Sequence, residues 1–526
     1  MMRALLMGAS LGVLASAAQA APNPDPRDEE IAILKAQVKA LNDRVENLEA
    51  HEATPRPVVV AAAPTLPPPP PAAAPVVQTS NWSGGATILA GKPSIQSADG
   101  RFSATLHGVM QFDVAQYLQA DPGPVTADFR RGAAAADTAH ARDLSSGSNF
   151  RRARIGFDGK VYGDIEYQVL FEFGGAGEED AGHVQELWLQ YSGLKPFHLR
   201  IGAYPPSIGL EDQGPTNGQP FVERPAEADM TRSLAGGDFR EAGEVWAAGE
   251  RWYANAAITG RLVGVVNSQA TGVSQPFDSQ LGYIGRLVYL PVLTDDALVH
   301  VGVHGAYVAR PADAGGPDVV AGRYPITIQE RPELRVDGTR LVSTGAIDAR
   351  HASVAGLEFA AQYANLWVEG EYDRFTIERR LAPVGVSNPR FTGFYVEASW
   401  ILTGEKRRYN TGNFSFDGPP VDHPLSLTDG TWGALELAAR YSDIDLNYHP
   451  GAPGTAPPAD AVRGGDQRIV TLGANWYLNP VVRFMLEVQD VRVDRLSPSA
   501  TTFQTPVGAQ VGQHYHAVAL RSQMAF

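Results

Sequence analysis

The chain of 526 residues reads as all-β: a sixteen-stranded antiparallel transmembrane β-barrel, preceded by a coiled-coil helix and a Pro-rich linker. Three observations predict this. The last segment places Val518, Leu520, Met524 and Phe526 on one face and Ala519, Arg521, Gln523 and Ala525 on the other, the period-two pattern of a strand with lipid on one side and water on the other. The connections between such segments alternate long and short, as they do between the external and periplasmic ends of outer-membrane barrels. Beyond the N-terminus no run approaches the ~18 apolar residues of a membrane helix, and only a closed barrel satisfies its backbone in lipid with strands this weakly apolar.

The elements follow in order. Residues 1–20 fit a secretory signal peptide: Arg3 supplies the positive start, Leu5 to Ala18 a short apolar core, and Ala18-Gln19-Ala20 an A-x-A cleavage site. Within 29–50, Ile31, Leu34, Val38, Leu41, Val45 and Leu48 recur three and four apart, the a/d seam of a short parallel coiled coil. Glu30 and Arg44 at g positions face Lys35 and Glu49 at e positions of a neighbour. β-branched residues at a with Leu at d lean toward two strands. Residues 53–79 are mostly Pro, Ala and Val with a run from Pro67 to Pro71. Such a segment packs no core and extends as polyproline II, reaching on the order of 80 Å. The spacing makes it a spacer between coil and barrel.

The barrel domain is expected over 101–526. Phe102, Ala104, Leu106, Met110, Phe112 and Val114 share one face of the first strand. Ser103, Thr105, His107, Gln111 and Asp113 share the other. The long segment from Leu118 to Ser148 is followed by a tight Tyr162-Gly163 turn, the longer Gly174 to Gly182, then the short Ser192 to Pro196. Continued to Phe526 the count is about sixteen strands. A propeller or soluble sandwich does not produce that alternation.

Composition excludes other classes. Cysteine is absent, so there is no disulfide framework, thiolate metal site or thiol nucleophile. A formal net charge of -15 argues against a nucleic-acid partner. Histidines are scattered and no G-x-S-x-G elbow occurs, so a barrel hydrolase lacks its nucleophile and base. His300 and His304 share a strand face but lack a third metal ligand nearby in sequence. No enzymatic activity and no cofactor are expected.

Strand parity sends Arg152, Arg154, Arg200, Arg261, Arg286, Arg440, Arg483 and Arg521 into the lumen, with Arg151 at the basic rim of the second strand. Guanidinium groups at successive lumen positions replace the water of an oxyanion with fixed bidentate donors. The same parity sends Asp113, Glu166, Glu172, Glu186, Glu369, Glu371, Glu397, Glu436 and Glu487 inward. The lining is therefore mixed, and many of these pairs can brace the wall instead.

Six stretches, in order, resemble the phosphate-selective porin O/P family of Gram-negative outer membranes. They are NFRRARIGFDG (149–159), ELWLQYSGLKPFHLRIGAY (186–204) with IGLE at 208–211, ILTGEKRRYN (401–410), WGALELAARYS (432–442), TLGANWYLNPVVRF (471–484) and the terminal strand. The resemblance implies a trimeric outer-membrane porin with basic residues along the pore. Arg151 and Arg152 match the family's paired arginines, and Arg200 falls where the family has a basic residue. As in sixteen-stranded porins, the third long loop, Tyr204 to about Gly243, is expected to fold inward and form the constriction. Its charged residues include Glu211, Asp212, Glu223, Arg224, Asp229, Arg232, Asp238 and Arg240. Asp212 departs from the pattern, because the family's phosphate channels carry a lysine after the Gly-Leu-Glu of this loop.

The expected function is passive diffusion of small hydrophilic solutes, anions such as phosphate or related oxyanions foremost, through a homotrimer set in outer-membrane lipid. Asp212 and the acidic lining leave a general or weakly cation-preferring pore as one rival. A structural tether is the other, with the periplasmic coil holding peptidoglycan or a periplasmic protein.

Overall fold

In the computed structural model, residues 39, 86–89, 92–119, 143–175, 182–237, 239–263, 278–315, 320–498 and 506–526 are described. The expected signal peptide, the coil apart from Lys39, and the linker lie outside them, as does Asp238.

Sixteen strands form one closed antiparallel meander. They are β1 (Ser103–Leu118), β2 (Gly147–Val161), β3 (Ile165–Glu172), β4 (His183–Leu194), β5 (Phe197–Ala203), β6 (Arg240–Ala248), β7 (Trp252–Leu262) and β8 (Leu281–Leu293). β9 (Ala297–Arg310), β10 (Ile347–Tyr363), β11 (Leu366–Arg379), β12 (Arg390–Ile401), β13 (Ala434–Tyr448), β14 (Val462–Tyr477), β15 (Val482–Asp494) and β16 (His514–Ala525) complete it. Each pairs with the next, and β16 pairs back onto β1 from His516↔Leu118 to Ala525↔Val109. Closure leaves no unpaired edge facing lipid.

Period-two alternation holds where the wall meets the membrane. On β13, Leu435, Leu437, Ala439 and Tyr441 face out while Glu436, Ala438, Arg440 and Ser442 are buried inside. Phe526 extends the closure by one residue. Its backbone exchanges hydrogen bonds with Gly108 at 2.9 and 3.0 Å, and a Cβ at position 108 would run into the Phe526 ring. The tight Tyr162-Gly163 turn has φ of 55° and 84°, the two positive values a type I′ hairpin requires.

Below Phe526 the edge of β1 is taken over by a hairpin, Ala86–Leu89 with Lys92–Gln96, through pairs such as Ser94↔Thr105. These strands of four and five residues carry too few alternations, and one proline, to have stood out in the sequence.

Long connections lie at one end and short turns at the other, with one exception. Residues 402–433 form a long connection at the short-turn end, where the periplasm is. They fold back into the lumen, carrying a small hairpin, Tyr409–Asn410 with Ser415–Phe416. From the opposite end, residues 204–237 and 320–346 also fold in. Consequently the lumen holds the hydrophobic core. Phe414, Phe416, Leu210, Tyr253, Leu290 and Trp367 form one buried cluster, and Ile208, Met230, Leu334, Val342, Phe375 and Phe391 belong to another. Apolar side chains therefore point inward at many places where a loop docks on the wall.

Candidate permeation path

The third long connection holds two helices, α1 (Leu210–Gln213) and α2 (Ala226–Ala235). α1 has no side-chain cap of its own. Its first amides donate instead to the wall carboxylate of Glu371, from Leu210 N at 2.6 Å and Glu211 N at 3.0 Å, where the positive helix end favours an anion. At its other end Arg224 donates to the carbonyls of Asp212 and Gly214, both at 3.2 Å. α2 leans on the opposite wall from β2. Thr231 donates to Asp373 of β11, which holds His304 Nε2 at 2.9 Å. Burial and the facing Asp373 push the Glu227 carboxyl well above its usual range. Among the described residues, neither of its oxygens finds a donor.

With α2 on that side, open space remains against β2. A β-bulge decides its chemistry: Gln111 of β1 pairs with Arg152 and Phe112 with Phe150, leaving Arg151 as the extra residue. Bulges re-aim side chains, and here both Arg151 and Arg152 reach the lumen. A cavity of about 240 Å³ opens beside them. Arg151, Arg152 and Arg154 come from β2; Arg224, Arg232 and Arg240 from the third connection and the start of β6; Arg331, Arg335 and Arg340 from residues 320–346. Nine arginines thus face four carboxylates, Glu172, Glu223, Asp229 and Glu330.

A larger cavity, about 570 Å³, lies at the periplasmic end, with Lys92, Arg408 and Arg483 against Asp417. A short polar seam separates the two. Arg152 donates to Gln111 at 2.7 Å, Gln111 to Gln523 at 2.6 Å, and Arg483 to the same Gln523 oxygen at 3.2 Å. Gln111 and Gln523 also donate to the loop carbonyls of Thr216 and Asn217.

The expected arginines divide accordingly. Arg151, Arg152 and Arg154 line the first cavity and Arg483 the second. Arg286 faces inward as parity predicts, but it is sealed under residues 402–433, bonded to Glu358 and to the Asn413 and Phe414 carbonyls. Arg440 is held by Glu333 at 2.5 Å and Glu397 at 3.4 Å, Arg521 by Asp113 at 2.6 Å and Glu223 at 3.0 Å. Arg200 stacks over Trp188 and donates to Gln190. Arg261 sits half-exposed at the rim beside Glu241. None of these five lines either cavity.

Of the constriction-loop residues, Arg224, Arg232 and Arg240 line the first cavity. Asp212 is buried against Arg232, and Glu211 lies beside Glu369 and Glu397 of the wall. Arg240 is the first residue of β6, not part of the loop. Sequence reasoning missed Arg331, Arg335 and Arg340. The only signal was the density of arginine in RPELRVDGTR, 331–340. It also missed Arg407, which ties residues 402–433 to the wall through Glu436 at 2.6 Å.

A barrel that is apolar outside, charged inside and narrowed by infolded connections defines the class: this is an outer-membrane porin. The chain belongs to the phosphate-selective porin O and P family, whose model matches residues 123–526. Porin O of Pseudomonas aeruginosa is 25% identical over 418 residues, covering 77% of this chain and 88% of that protein. An uncharacterized protein of Caulobacter vibrioides is 28% identical over 456 residues, covering 84% and 82%. Among solved structures, OmpT of Vibrio cholerae covers 81% of this chain and 98% of its own at 10% identity, with a TM-score of 0.45. An anion-selective porin from Comamonas acidovorans covers 81% and 100% at 13% identity and 0.41.

Proposed function

We propose that the protein is an anion-preferring porin through which phosphate or a related oxyanion diffuses passively, with no catalytic step. The observation that carries this reading is the surplus of nine arginines over four carboxylates at the smaller cavity, where a low-dielectric wall focuses the field on the solute. Of the acidic residues that argued for a cation path, Glu172 lines this cavity paired with Arg154, whereas Asp212 is ion-paired with Arg232 and Glu369, Glu371 and Glu397 are buried beneath α1. Under a KCl gradient in planar bilayers the reversal potential takes the sign of chloride preference, and added phosphate blocks the chloride current. Replacing Arg151 and Arg152 together by Ala shifts that potential toward zero. An unchanged potential in the double variant removes the pair from the mechanism, and cation preference in the wild type ends the anion reading.

The assembly proposed is a homotrimer. β3, β5 and β6 have 8, 7 and 9 residues, at or below the ~9–11 needed to cross the hydrocarbon core. Another copy of the chain, rather than lipid, suits that low wall. In mild detergent, light scattering should return the mass of three chains, and a monomer mass across the accessible concentration range would count against it.

A further inference from the structure

The arginine cluster already holds an anion, and it is part of the chain. The Glu223 carboxylate, 3% exposed, is gripped by the fork of Arg151, whose Nε and one terminal nitrogen donate at 2.6 and 3.1 Å. Arg521 donates at 3.0 Å, while Arg335 stands 3.5 Å away and Arg152 3.9 Å away. Four guanidinium groups thus converge on one carboxylate supplied by the third connection. Burial alone would raise its pKa, but those arginines hold it well below the ordinary carboxylate range, so it stays charged at neutral pH.

Its backbone keeps it in place. Arg521 donates to the Val222 carbonyl, Arg440 to the Glu223 carbonyl at 3.0 Å, and the Val222 amide donates to Glu487 at 2.8 Å. A group tethered this tightly competes at high effective concentration with any free solute. Beside it, donor capacity is left over. Arg152 is buried and, among the described residues, bonds only Gln111 through one terminal nitrogen, its Nε having no acceptor there. Arg151 and Arg152 both border the first cavity.

We infer that Glu223 is a built-in competitor occupying the oxyanion position, and so a specificity-determining residue of this pore. A tetrahedral oxyanion presents the same pair of oxygens to an arginine fork as a carboxylate does. It arrives at the spare face of Arg152 and exchanges against Glu223 on Arg151. Conduction needs sites weak enough to leave, and a resident anion weakens the site without removing its arginines. The inference rests on the anion reading above but is tested apart from it.

The experiment measures block of chloride current by inorganic phosphate in planar bilayers, using folded wild-type protein, Glu223→Gln and Glu223→Asp. If Glu223 competes, Glu223→Gln lowers the half-blocking phosphate concentration by about tenfold, the scale of one charge-assisted hydrogen bond. Glu223→Asp, whose carboxylate is drawn back by one methylene, moves it in the same direction by less. Glu223→Asp also decides the matter should Glu223→Gln not fold. Unchanged or weaker block in the variants overturns the inference and makes Glu223 a brace for the arginines. A cation-preferring wild type whose Glu223→Gln variant gains phosphate block ends the anion reading alone. An anion-preferring wild type with no gain in either variant ends this inference alone.

Discussion

Excising residues 409–416 should roughly double single-channel conductance, because conductance follows the open cross-section, and should weaken anion preference at the same time. The excision is geometrically mild. Arg408 and Asp417 already face each other across the small hairpin, with Asp417 N donating to Arg408 O at 2.8 Å, so an Asn-Gly turn can join them. What leaves is the floor of the lumen on one side. Phe414 is fully buried in a cluster with Leu210, Tyr253 and Trp367. Asn413 and Ser415 prop the end of α1 by donating to the Gln213 carbonyl at 2.9 and 3.0 Å. Without them, water and ions reach the wall of β10 and β11, where Glu358, Glu369 and Glu371 now lie dry. A second path lined by carboxylates would then run parallel to the arginine path and dilute its selectivity. Bilayer recordings of the folded variant check both effects. Unchanged conductance and reversal potential would mean that residues 409–416 do not limit the lumen.

How much of this was legible in the sequence depends on what fixes each feature. Strand parity was legible because lipid imposes it: Leu435, Leu437 and Tyr441 must face out, so Glu436 and Arg440 must face in. The infolded third connection was legible by counting strands. The direction of Arg151 was not, since strict alternation turns it away from Arg152 and only the bulge opposite Gln111 restores it. Nor could alternation show what docks on an inward face. Phe375, Phe391 and Tyr395 read as parity errors for a water-filled pore, yet all three are buried inside against loops that come from far along the chain. Arg335 meets Glu223 across 112 positions of sequence, and no local pattern encodes that pairing. The short-turn rule gave no reason to expect residues 402–433 in the lumen. Parity also cannot tell a lining arginine from a bracing one, which is why Arg152 and Arg286 looked alike.

That difference leads to the largest expected effect on stability. Arg286→Met should cost about 3–5 kcal/mol, the usual penalty for stripping one partner from a buried ion pair. Arg286 is 1% exposed. Its Nε donates to both Glu358 oxygens at 3.0 and 3.1 Å, and a terminal nitrogen to one of them at 2.8 Å. Methionine fills a similar volume but leaves the Glu358 charge with only His300 at 3.1 Å and His304 at 2.9 Å. His304 is already shared with Asp373. The Asn413 and Phe414 carbonyls lose donors at 2.8 and 2.9 Å in the same step, so the small hairpin loosens along with the wall. Urea unfolding of the detergent-folded protein, followed by loss of the compact band on gels, measures the cost. Adding Glu358→Gln to Arg286→Met should recover much of it, because the stranded charge is what makes the single variant expensive. A single variant within about 1 kcal/mol of wild type, the range of an exposed pair, would mean that water reaches Glu358 and that this half of the lumen is wet.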